Sequence, residues 1–236
     1  MNIPHSIYAL CSIVVFACVH TWAGRLRLVS NRTQGQILSF GSGVAIAYVF
    51  IDLLPKLAKN QLILKNALSD LLPFLEKHVY ILALVGFLLF FLVDRSSRRL
   101  HKKNPFWFSL TSYAIFNFFV GYAVCDKDNP EVKPLLLFTF AMSLHYFVND
   151  FSLSIAHPES YNSKAKWVLI ICLLLGWQTA ICVSIPPAAV ALVSAFIGGG
   201  VIMNVTRHEL PQENPNNAFT FIIAAIGYTI VLLGLG

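Results

Sequence analysis

Charge is scarce in this sequence. Only 12% of the 236 residues are Asp, Glu, Lys or Arg, about half the share carried by an ordinary soluble domain. With 57% hydrophobic residues and a mean hydropathy of +0.69, that scarcity excludes a soluble globular chain and predicts an all-α integral membrane protein. Cysteine chemistry is missing as well. The five cysteines, Cys11, Cys18, Cys125, Cys172 and Cys182, are scattered with no Cys-x-x-Cys pair, and in apolar runs they serve as small hydrophobes. No basic stretch precedes the first apolar run, since the first arginine is Arg25, so no cleaved signal peptide is expected. No polar stretch is long enough for a soluble domain. The net charge of +6 does not point to nucleic acid, because the basic residues lie between apolar spans, where the loops of a membrane protein carry them.

What is present is a series of apolar runs. They predict eight transmembrane helices at about 4–24, 36–56, 78–93, 106–125, 134–156, 165–185, 189–210 and 217–236, each near the length that crosses a bilayer. Eight spans place both termini on one side. The odd-numbered loops hold eleven Lys and Arg and the even-numbered loops six. The positive-inside rule then makes the odd loops cytoplasmic and both termini non-cytoplasmic. A cell (inner) membrane is the expected location.

The fifth run contains the most informative stretch, S-L-H-Y-F-V-N-D-F from Ser143. His145 and Asn149 are four residues apart and share a helical face, and Asp150 follows roughly 100° further round. An ionisable side chain at such depth is costly and normally faces a partner or a water-filled cavity. Asn117 in the fourth run lies at a similar depth, and Gln178 in the sixth is a candidate oxygen ligand. His20, the other intramembrane histidine, has no acidic neighbour in its own helix, which predicts a packing or interface role.

The chain also repeats itself. Span two reads G-S-G-V-A-I-A-Y-V-F-I-D-L-L-P from Gly41, and span seven reads G-G-G-V-I-M-N-V-T-R-H-E-L-P from Gly198. Aligned on their glycines, the two stretches place Asp52 on Glu209 and Leu53 on Leu210. The two spans run in opposite directions, which makes an inverted repeat: about 1–93 against 165–236, with 106–156 as a central pair, all in one transmembrane domain. Secondary transporters are commonly built this way, with substrate bound near the midplane.

On these motifs the chain resembles the ZIP family of zinc and iron transporters over nearly its whole length. The glycine-led second span ending in D-L-L-P-K and the seventh ending in E-L-P-Q-E resemble that family's helices two and seven. The resemblance implies a 3+2+3 arrangement of eight helices and transport of a divalent cation (zinc, iron or manganese) toward the cytoplasm. It also implies a site between helices four and five. The family's fourth helix carries a motif like H-N-F-x-[DE]-G and its fifth one like H-E-x-P-H-E. Here Tyr113 stands in place of the fourth-helix histidine and Asn117 in place of the carboxylate. In span five His145 and Asp150 match, while Asn149 replaces the second histidine. The implied metal ligands are His145, Asp150, Asn149 and Asn117. Asp52 lies at the outer mouth, Glu209 and His208 at the inner mouth, and Tyr113 and Gln178 along the path. The ion is cargo, and no permanently bound cofactor is expected. A homodimer stays open.

Two other function classes are weighed. A ZIP-like protein that has lost transport, acting as a regulator, sensor or partner subunit, is favoured by the missing histidine of span four. An intramembrane metal-dependent hydrolase would need three ligands and a positioned base. His145, Asp150 and His20 do not supply that set by spacing, so no enzyme activity is expected.

Overall fold

A computed structural model describes residues 3–68, 77–99, 105–125, 131–183, 186–208 and 215–235. Among them there is no strand; nearly all are helical. The elements are α1 (Ile3–Trp22), α2 (Asn31–Tyr48), α3 (Leu54–Leu68), α4 (His78–Arg99), α5 (Pro105–Ala123), α6 (Val132–Ala156), a single turn α7 (Pro158–Ser160), α8 (Lys166–Cys182), α9 (Pro187–His208) and α10 (Pro215–Leu235). Eight long helical segments follow the eight predicted runs, once α2 and α3 are taken together.

Local chemistry sets most of the breaks. Ser30 caps α2, its hydroxyl accepting from the Thr33 amide at 3.4 Å, which satisfies one of the free donors of a helix start. Pro158 opens α7 and Pro187 opens α9, positions where a missing N–H costs nothing. The second run differs from expectation in length. It does not stop near Lys56 but continues through Pro55 to Leu68. Beyond the proline, Leu57 and Leu64 are buried while Lys59 is exposed, so an amphipathic face carries the helix onward. Pro55 lacks an amide proton and its ring crowds the carbonyl four residues back. The chain answers with a π-helical turn over Val49–Leu53, a widening of the kind often found where helices are adapted for function. Asp52 sits on that turn.

Three helix pairs approach backbone to backbone. At Gly199 an added Cβ would collide with the Ala83 carbonyl, which joins α9 to α4, and at Gly176 it would collide with the Phe118 carbonyl, which joins α8 to α5. Gly43 meets the Phe221 carbonyl in the same way and joins α2 to α10. Small residues at such crossings let helices gain dispersion contact that lipid cannot supply. α6 packs on α1 and α2 at the centre of the assembly. Phe16, Tyr146, Phe116, Val120, Leu173 and Val201 form the principal apolar cluster around it.

The outside is apolar too. Large side chains such as Leu84, Phe219, Ile230 and Leu233 are more than half exposed. Among the described residues, five helices are long and apolar enough to cross a membrane, beginning at Ser6, Asn31, Pro158, Pro187 and Asn217, and His78–Val93 is a shorter apolar helix.

Candidate functional site

Most of the buried polar side chains of this apolar bundle gather in two hydrogen-bonded groups, both anchored on α6. His145, Asn149 and Asp150 are each at most 8% exposed, as are His20, Asn117 and Asn204 from α1, α5 and α9. One α6 face presents His145 and Asn149; Asp150, turned by one residue, faces α1.

The first group is His145, Asn149 and Asn204. The Asn149 amide donates from Nδ2 to His145 Nε2 at 2.9 Å, along the i, i+4 spacing. Its Oδ1 accepts from Asn204 Nδ2 at 2.6 Å. An amide nitrogen can only donate, so His145 Nε2 bears a lone pair and the imidazole is neutral. A metal ion would take that lone pair in place of the Asn149 hydrogen bond.

The second group has a different proton count. His20 Nδ1 and Asp150 Oδ2 are 2.5 Å apart, and His20 Nε2 and Asn117 Oδ1 are 2.8 Å apart. Asn117 Nδ2 donates to the Tyr113 carbonyl at 2.8 Å, which fixes the amide so that its oxygen faces the ring. A carboxamide oxygen only accepts, so His20 Nε2 carries a proton. A second proton lies in the short bond to Asp150. Wherever that proton sits in the bond, the His20–Asp150 pair is neutral as a whole and His20 offers no free lone pair. The Tyr161 hydroxyl is 2.8 Å from Asp150 Oδ2 and donates to the His20 carbonyl at 2.7 Å. Tyr161 reaches this point from a π-helical turn, Tyr161–Ala165, that follows α7.

Tyr146 stands between the groups. Its ring centroid is 4.7 Å from that of His20 and 6.4 Å from that of His145, with Phe16 and Phe116 packed edge-on.

Of the residues singled out from the sequence, His145 and Asn149 come together in the first group, and Asp150 and Asn117 in the second. Tyr113 contributes its carbonyl, and its side chain packs beside Leu110, Leu153 and Tyr161. Asp52 is apart from both groups, paired with Lys56 at 2.7 Å. Gln178 is exposed and its amide donates to Cys182 Sγ at 3.3 Å, away from the centre. Glu209 and the side chain of His208 lie outside the described residues. His20, expected to be a packing or interface residue, lies in the second group; its partners come from other helices, 97 and 130 residues away. Asn204 and Tyr161 were not singled out at all.

Among the described residues no three His, Cys, Asp or Glu side chains gather as a metal-ligand group. The donors at hand are the His145 imidazole, the Asp150 carboxylate and the amide oxygens of Asn149, Asn204 and Asn117. Such a set is poorer than the four-ligand cage of a structural zinc and richer in hard oxygen. Fold and site together define an all-helical chain with apolar outer surfaces and a buried His–Asn–Asp centre. No protein-family model matches the chain, and no curated protein matches it either.

Proposed function

We propose that this chain is a ZIP-like membrane protein that carries divalent metal cations, zinc, iron or manganese, toward the cytoplasm through a reduced site between α5 and α6. The observation that carries the reading is the first polar group: a buried imidazole whose Nε2 accepts from the Asn149 amide, with Asn204 of α9 hydrogen-bonded behind it. Polar groups at this depth are costly, and a weak, neutral donor set suits an ion that has to leave again. The apolar outer surface supports membrane embedding. The helix contacts support the inverted repeat: exchanging span two with span seven and span three with span eight turns the α4–α9 crossing into the α2–α10 crossing, and both are glycine-mediated. In this reading Asp52 draws cations to one mouth, His208 and Glu209 serve the other, and both termini are non-cytoplasmic.

A second reading has an observation of its own. His20 is held at both ring nitrogens and Asp150 by both His20 and Tyr161, as in a structural polar lock. A ZIP-like protein kept for sensing or partnership would retain that lock and lose transport. Uptake of zinc, iron and manganese into proteoliposomes holding the whole chain separates the two. Saturable uptake of at least one metal is expected. No uptake of any of the three by protein that is folded and inserted overturns transport and leaves the second reading.

A further inference from the structure

The two ends of the bundle differ in charge and in aromatic content. Helix direction alternates, so the end of α1 lies with the starts of α2, α5, α8 and α10 and with the ends of α4, α6 and α9. The Tyr161 hydroxyl on the His20 carbonyl and the Phe106–His157 ring contact at 5.1 Å tie that end together. Among the described residues this end carries six basic side chains, Arg25, Arg27, Arg32, Arg95, Lys164 and Lys166, against one acidic one, Glu159. The opposite end carries four basic side chains against two acidic ones, Asp52 and Glu131. Three of the four tryptophans are here, and all three are exposed: Trp22 (57%), Trp107 (45%) and Trp167 (52%). Each has a cation over its ring: Arg25 at 6.0 Å, Lys164 at 5.7 Å and Lys166 at 5.6 Å from the centroid.

We propose that this end is a docking surface for anionic phospholipid headgroups, centred on the Trp107–Lys164 pair. Each element of the surface has a share in the recognition. An exposed indole prefers the boundary between hydrocarbon and water, and so places its cation at headgroup depth. Basic side chains at that depth attract anionic lipid, and the larger excess of positive charge at this end gives the attraction a side. The apolar flanks beside the pairs accept acyl chains, which an inorganic anion lacks. Lys164 and Tyr161 belong to the same π-helical turn, so a headgroup held by Lys164 steadies the turn whose tyrosine bonds Asp150. The inference rests on the membrane reading and not on metal transport.

The test is lipid retention by the purified full chain in detergent, read by native mass spectrometry after exposure to equal phosphatidylglycerol and phosphatidylcholine. One variant combines Arg25→Gln, Lys164→Gln and Lys166→Gln. A matched control combines Lys56→Gln, Lys59→Gln and Lys133→Gln at the opposite end. The parent should retain phosphatidylglycerol in preference to phosphatidylcholine. Each removed cation is worth about a fivefold loss, so the first variant should lose tenfold or more while the control keeps parental retention. Trp107→Leu, which leaves every charge in place, should also weaken retention. Equal retention of the two lipids, or equal losses in variant and control, overturns the proposal. So does full competition by millimolar inorganic phosphate, which would assign the site to a free anion. No outcome depends on flux, so failure here is distinct from failure of the transport reading.

Discussion

Replacing Asp150 with Asn tests the proton count at the His20 group. His20 is fully buried and Asp150 is 3% exposed, so neither has water to fall back on. With the carboxylate gone, the proton it shared with Nδ1 leaves with it, and the ring keeps its Nε2 proton on the Asn117 oxygen. The new amide nitrogen donates to the bare Nδ1, so the site stays neutral and paired, whereas Asp150→Leu leaves Nδ1 with no donor from this position. A buried acceptor stripped of its partner costs about 1–3 kcal/mol, whereas a neutral interhelical hydrogen bond in a membrane protein is worth about 0.6 kcal/mol. Unfolding free energy from detergent–denaturant titration, followed by tryptophan fluorescence, resolves a difference of that size. Asp150→Leu should cost about 1–3 kcal/mol and Asp150→Asn less than about 1 kcal/mol. A loss of about 3 kcal/mol or more on Asp150→Asn would refute a pair that is neutral as a whole.

Two further outcomes follow from the packing and the donor set. Gly176→Ala sets a methyl against the Phe118 carbonyl and should destabilise the chain by about 1–3 kcal/mol, whereas Gly227→Ala, with nothing within 4 Å of the new Cβ, should be neutral or slightly stabilising in the same titration. Asn204→Asp adds a carboxylate beside Asn149 and the His145 lone pair. Metal retained after desalting should rise by about tenfold, equivalent to ~1.4 kcal/mol, and unchanged retention would place the cation elsewhere.

The helices were legible because each needs only a local property, an apolar run of bilayer length. The second one was read too short, since Pro55 looks like a stop unless a π-turn absorbs it and the following stretch is seen to be amphipathic. The His145–Asn149 pair was legible for the same local reason: four residues along one helix fix a face. The cost of burying Asp150 announced that it needed a partner. Nothing local says which partner, because pairing His20 with Asp150 across 130 residues depends on how two helices are rotated and shifted against each other. Asn204 and Tyr161 were invisible on the same grounds. Gln178 shows the reverse error: its depth along the chain suits a ligand, but its helix turns it to the outside.

The central claim is that the ion passes the neutral imidazole of the first group, and the direct measurement is metal uptake by His145→Ala. Tested beside the parent in proteoliposomes, at matched insertion and with stability confirmed, this variant should lose most of its uptake, while Gln178→Ala, which alters an exposed side chain, should keep it. Parental uptake by His145→Ala would contradict the account, because a cation that does not need this lone pair is not carried by this site.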